Sequence, residues 1–552
     1  MPGRGTMPRM ASRQPEERAS FRHVISVPEL VALFVIGLVA RVAAAVPVDY
    51  APYTDPAYYT LVAQRLASGE GFTVPVIWSF LEVGSTLPDP AVLPVPSNGH
   101  WMPLTSIVAA GAMTLFGESW RAGQVPMVLL SALLVPMTAF SAAWLFRRRW
   151  VTWLSAVIAI FSGPLLVYYP TIENFAVFGV LGAGALMSAI RAAQPGTSAR
   201  WLILSGALAG AATLARIDGV LLTVAPAVAW LVRGEHRRAS GWILGFGSAA
   251  AYLAIVGPWL LRNVVVFGTA LPSAGGSMLW ITSYNEQFSI GHVISIESYL
   301  DAGIGFIIGS KLDSWFQLVG RTAVLLGGVF LLTFIPALWM ARRRRDLWPF
   351  VAYFLTMFVA MGGLFTFHAP RGAYYHSAPA WLPIAIPLAI SAVPAVATAA
   401  GRFWPFLRRP QTHRFLATAG TLGAVVLSTV GSVVIWREWD RSHRLDLAGA
   451  QFFVERGATS DVVMFGDPAA LALLSGNPGV APTPDSYLVQ ERIVEAFDVK
   501  WVMVQLPEGA DVDPLGLWHG GAATDAEGNR ASWLADDPAF EIPDLRVFEV
   551  ER

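Results

Sequence analysis

Long apolar runs separated by short, arginine-rich polar stretches recur along the first 435 residues of this 552-residue chain. A helix needs about 20 predominantly apolar residues to cross a bilayer. Val27 to Val46 is the first such run, with Arg41 close enough to its end to snorkel. Further runs cover Ala122 to Phe146, Trp150 to Tyr169, Asn174 to Ile190, Trp201 to Ala215, Gly219 to Val232, Gly241 to Leu261, Thr322 to Met340, Leu347 to Phe367, Ser377 to Val396 and Phe415 to Ile435. The pattern predicts eleven spans. Pro103 to Phe116 is too short for a span and suits an interfacial or re-entrant helix.

Charge fixes the orientation. If Pro103 to Phe116 does not cross and the N-terminus is cytoplasmic, the basic stretches at 147–149, 191–200, 233–238, 342–345 and 402–414 all fall inside, as the positive-inside rule requires. If that segment crosses, every one of them lies outside. Three extracytoplasmic regions follow: the loops 47–121 and 262–321, and the tail 436–552. Loops of that length are usually functional. In the tail, Val462 to Phe465, Tyr487 to Phe497 and Trp501 to Gln505 read as strand, helix, strand. The predicted architecture is an α-helical polytopic membrane protein with a small C-terminal extracytoplasmic α/β domain. It divides into an arginine-rich cytoplasmic tail 1–26, a transmembrane domain 27–435 and the outer domain 436–552.

Composition agrees. With 55% hydrophobic and only 14% charged residues, the chain carries more apolar surface than a soluble fold can bury, so the bilayer is part of its solvent. Formal net charge is zero, and a nucleic-acid partner is not expected. The absence of cysteine excludes disulfides, thiolate nucleophiles and Cys-ligated metals. An Ala-, Arg- and Gly-rich composition points to a bacterial plasma membrane.

The first outer loop carries the leading candidate chemistry. Thr54-Asp55-Pro56 opens an amphipathic helix in which Tyr58, Leu61, Val62 and Leu66 recur at helical spacing. Asp55 can serve as the helix cap, and an acid held there can also take a proton from an acceptor hydroxyl or amine. Asp49 is a second acid nearby, able to exchange roles with it. Glu173, in Pro170-Thr171-Ile172-Glu173-Asn174, stands at another outer turn as either a cap or a cavity residue.

The run Tyr53-Thr54-Asp55-Pro56-Ala57-Tyr58-Tyr59, followed by Ala67-Ser68-Gly69 and Gly71-Phe72, resembles the first periplasmic loop of GT-C glycosyltransferases, in particular the aminoarabinose transferase and protein O-mannosyltransferase group. The resemblance implies that Asp55 is the catalytic acid. Pro56 stands where that group often has Glu. His100-Trp101-Met102-Pro103 stands where the aminoarabinose transferases have Glu-Lys-Pro, so the phosphate-binding lysine is missing and His100 joins the substrate-binding candidates. The resemblance further implies a polyprenyl phosphate sugar donor and an envelope glycan, lipid or protein as acceptor.

Expelling a polyprenyl phosphate calls for positive charge near the leaving group. Arg216, Arg262 and Arg371 lie near the outer face, and each doubles as an ordinary interface anchor. Tyr374, Tyr375 and His376 follow Arg371, where aromatics can stack on a sugar or belong to the membrane belt. His368 and His376 alone do not make a metal site, so no metal is assigned, and a divalent cofactor is left open. Gly275 and Gly276 precede Trp280 and Tyr284 in a stretch that suits either a lid or a plain loop. No glycine-rich phosphate loop is present, which disfavours a nucleotide-sugar donor. Two other readings share the pattern: a transporter or lipid flippase, and a catalytically silent assembly factor on the same fold.

Overall fold

The computed structural model describes residues 24–272, 277–290, 294–507 and 530–551. Most of the predicted tail 1–26 and the glycines at 275 and 276 lie outside the described residues.

The predicted apolar runs are helical, and the chain is a multi-pass membrane protein. The longer helices are α1 (Val27–Ala45), α2 (Thr54–Ala67), α3 (Leu104–Phe116), α4 (Trp120–Phe146), α5 (Arg149–Phe161), α6 (Asn174–Ala193), α7 (Arg200–Ala215), α8 (Val224–Val232), α9 (Ala239–Phe267), α10 (Ile304–Leu325), α11 (Leu331–Ala341), α12 (Trp348–Gly363), α13 (Tyr374–Ala400) and α14 (Pro410–Arg456). Among the described residues, seven helices are long and apolar enough to cross a membrane unaided: α1, α4, α6, α9, α12, α13 and α14. The others are shorter, except α10, whose 22 residues include Lys311, Asp313 and Arg321.

The breaks have local causes. The run Trp150 to Tyr169 stops at Phe161 because Ser162 and Gly163 both take positive φ. A Cβ at Gly163 would press on the Val324 carbonyl oxygen at 3.1 Å. The carbonyls released there are not orphaned, since Ser428 Oγ on α14 donates to Phe161 O and Gly163 O. Gly327 and Gly328, also at positive φ, divide the run Thr322 to Met340. Toward its N-terminus α10 begins at Ile304, well within the stretch 262–321 read as loop.

Arg41 does not snorkel. It is fully buried and donates to Ile160 O at 2.6 Å and Ala159 O at 3.0 Å, with Tyr169 stacked 4.5 Å away. A cation thus meets the carbonyl end of α5, where the helix dipole favours it.

The C-terminal domain is not independent of the bundle. Its strand–helix–strand unit forms as expected, with β4 (Val462–Phe465), α16 (Tyr487–Ala496) and β6 (Val499–Gln505), and α15 (Pro468–Ser475) lies between. Around these, β5 (Gly479–Val480), β7 (Phe540–Ile542) and β8 (Leu545–Glu549) complete a sheet whose far strand, β2 (Val76–Ile77), comes from the segment between α2 and α3. The order is β2-β5-β4-β6-β8-β7, parallel from β2 to β6 and antiparallel beyond. A smaller ribbon pairs β1 (Thr73–Val74) with β3 (Val95–Pro96). The division at 436 falls inside α14, whose 47 residues run about 70 Å from the bundle into the domain.

Candidate active site

A cavity of 590 Å³ opens at one end of the bundle, within the size range of small-ligand sites. Asp55, His100, Arg216, Arg371, Tyr375 and His376 all line it. Of the remaining sequence candidates, Glu173 is completely buried just behind the wall. Tyr374 is buried in the core, its hydroxyl 2.7 Å from Thr322 Oγ1. Arg262 lies outside the lining, held to Asn263 Oδ1 at 3.1 Å and stacked over Trp259. Asp49 is exposed and also outside the lining.

Asp55 is not the helix cap. Tyr53 occupies the cap position without a side-chain bond, and Asp55 sits within the first turn of α2. Glu173 does cap, accepting from the Asn174 amide at 2.8 Å as α6 begins. Its other oxygen accepts from the Tyr53 hydroxyl at 3.3 Å. His376, on the first turn of α13, stacks on Phe175 and has Nδ1 3.6 Å from Glu173 Oε1 and 3.1 Å from Asn174 Oδ1. Three chain segments therefore converge: ligating atoms of Asp55, Glu173 and His376 lie within 4.8 Å of one another.

Burial pushes the Asp55 carboxyl up to about 7, and the Glu173 charge adds to the shift, while His376 and a hydrogen bond from Trp101 oppose it. Glu173 is likewise raised to about 7 by burial, against the Asn174 amide and Arg216. Near neutral pH the pair is poised to hold a proton between them. Two carboxylates and one imidazole also suit a divalent cation that accepts mixed oxygen and nitrogen ligands.

The cavity is also lined by cationic and aromatic groups. Arg216 pairs with Asp218 through Nε and Oδ1 at 2.5 Å, and Asp218 in turn accepts from Ser377. Arg371 lies 3.9 Å from the Tyr284 ring centroid. His100 and His368 are held neutral, pushed down to about 3 and about 4, chiefly by burial. Trp78, His100 and Trp101 pack as a ring cluster, with Trp78 and Trp101 centroids 4.7 Å apart.

Sequence reasoning missed several participants. Asn174, Tyr59 and Tyr53 form the hydrogen-bonded frame of the acid pair. Asp467 of the C-terminal domain accepts at 2.9 Å from Oγ1 of Thr54, the residue before Asp55, and is raised to about 6 by burial. Adjacency to Asp55 and Glu173 was the available signal for Tyr53 and Asn174; nothing local marked Asp467.

The fold is that of the GT-C glycosyltransferases. ArnT from Cupriavidus metallidurans, solved with undecaprenyl phosphate, superposes with TM-score 0.57 at 13% identity, covering 95% of this chain and 98% of that one. The oligosaccharyltransferase AglB from Archaeoglobus fulgidus, solved with an inhibitory peptide and a dolichol-phosphate, gives TM-score 0.53 at 12% identity over 86% of this chain and 69% of its own. No protein-family model and no curated protein sequence matches the chain.

Proposed function

We propose that this protein is a membrane glycosyltransferase that moves a sugar from a polyprenyl phosphate carrier to an extracytoplasmic acceptor. The observation that carries the reading is one cavity lined by Asp55, backed by buried Glu173, together with Arg216 and Arg371. In the transfer, an acceptor O–H or N–H attacks the anomeric carbon. Asp55 takes the proton. The bond from that carbon to the phosphate oxygen breaks with inversion, and the departing phosphate keeps the electron pair. Arg216 and Arg371 hold its negative charge, which a leaving group of this kind needs more than it needs an acid. Burial, with the charge of Glu173 framed by Asn174, Tyr53 and His376, keeps Asp55 basic enough to act near neutral pH. A divalent cation held by Asp55, Glu173 and His376 would add Lewis-acid stabilisation of phosphate oxygens. The aromatic wall of Trp78, Trp101 and Tyr375 suits a sugar face.

Helix directions support an outer-face site. α6 and α13 start at the cavity, α7 and α12 end there, and the basic stretches at 191–200, 342–345 and 402–414 lie at the opposite ends of the same helices. Polyprenyl phosphates bound to the two neighbours support the donor class. Charge gathered at a helix-end cavity favours transfer over transport, which uses mid-membrane sites. The test supplies membranes containing the protein with labelled polyprenyl phosphate sugars and an envelope extract. Label should move to an acceptor with at least one donor. Failure with every donor, by protein that is folded and able to bind polyprenyl phosphate, would reject the reading.

A further inference from the structure

The helices α8 and α12 connect two chemically different places. Near the cavity α8 follows Asp218 and α12 ends close to Met361. At their other ends lies a second, more open cleft of 780 Å³. Four arginines line it: Arg233, Arg237, Arg342 and Arg345.

The acids available there are already engaged. Glu235 pairs with Arg233 at 3.2 Å, and Arg233 also donates to the Ala192 carbonyl. Asp346 pairs with Arg344 at 2.5 Å. Among the described residues, no carboxylate makes an ion pair with Arg237, Arg342 or Arg345, all three of which are exposed. Arg342 stacks on the Trp339 ring at 3.3 Å, which leaves its charge intact.

The cleft is polar at one end only. From Trp348, beside the arginines, Val351 and Leu355 continue along α12 for about 10 Å at 1.5 Å per residue. Val228 and Leu231 of α8 complete the lining, and Leu231 and Leu355 are 52% and 49% exposed, so the apolar part opens sideways. A cationic end followed by an open apolar trough matches a lipid, headgroup first. Free phosphate would leave the trough unused. A zwitterionic headgroup brings its own cation to an already positive rim.

We propose that this cleft binds a net-anionic phospholipid, with its phosphate among Arg237, Arg342 and Arg345 and an acyl chain along Val351 and Leu355. Basic pockets between membrane helices recognise phosphate headgroups in this way. The site is separate from the glycosyl-transfer cavity and stands or falls without it.

The experiment uses the full chain in nonionic detergent, measuring apparent affinity by thermal unfolding and native mass spectrometry for cardiolipin, phosphatidylcholine and inorganic phosphate. Cardiolipin is expected to bind and stabilise, with little effect from the other two. The triple variant Arg237→Gln, Arg342→Gln, Arg345→Gln should lose affinity on the order of 100-fold, from roughly a factor of five per arginine. Leu355→Trp keeps the charge and blocks the trough, and should also weaken binding. Wild-type affinity in the triple variant, or equal stabilisation by phosphatidylcholine or phosphate, overturns the proposal. Should the triple variant fail to fold, unchanged affinity in Leu355→Trp overturns it as well, and weakened affinity supports it.

Discussion

Glu82 offers a prediction whose size follows from the structure. It is 1% exposed in the segment between α2 and α3, with Oε1 accepting from the Tyr58 hydroxyl at 2.6 Å, and that hydroxyl accepts from the Asn98 backbone amide at 2.8 Å. Burial raises its carboxyl from 4.5 to about 7, although the Tyr58 hydrogen bond pulls the other way. The folded state therefore binds the proton more tightly than the unfolded state. Its contribution is fully present below pH 4.5 and is lost as pH rises through 7. A shift of roughly 2.5 units corresponds to about 3 kcal/mol of stability lost across that window. Glu82→Gln keeps an acceptor for Tyr58 and removes the titration. Unfolding measured from pH 4.5 to 8.5 in one detergent should show the variant gaining on wild type as pH rises, by an amount approaching that figure. Parallel profiles would refute the reasoning, and a variant that loses ground at high pH would reverse its sign.

Other consequences can be checked in the same preparation. Arg216→Ala and Arg371→Ala should each cut kcat/KM for the lipid-linked donor on the order of 100-fold, the usual cost of losing one group that stabilises a developing negative charge; a change below threefold at either would remove it from the phosphate site. Gly206 packs against the Ser248 backbone where α7 crosses α9, so Gly206→Ala should cost about 1–3 kcal/mol of stability, whereas unchanged unfolding would mean the helices separate freely. Calorimetric titration with manganese should find one site whose affinity drops more than tenfold in both Glu173→Gln and His376→Ala; a silent wild type would confine the three residues to proton chemistry.

The helices were legible because a bilayer leaves a strong one-dimensional signal, and the strand–helix–strand unit of the C-terminal domain was legible from its alternation of apolar runs and polar turns. Other features depend on contacts distant in sequence. Val76 and Ile77 are only two paired residues, too short to announce that they complete a sheet with Gly479 and Val480. Arg41 read as a snorkelling residue because its partners, the carbonyls of Ala159 and Ile160, are more than a hundred positions away. Asp55 and Glu173 could each be picked out as outer-face acids, but their convergence with His376 needed the packing of α2, α6 and α13. Arg262 and Asp49 had equally good local credentials and lie outside the cavity.

The most direct test of the central claim compares Asp55→Asn with Asp49→Asn at matched expression, measuring donor binding and glycosyl transfer separately. The account predicts that Asp55→Asn still binds the polyprenyl phosphate sugar but transfers at least about 100-fold more slowly, the loss expected for a general base. Asp49→Asn, exposed and outside the cavity, should behave as wild type. Full activity in Asp55→Asn, or the loss appearing in Asp49→Asn instead, would contradict it.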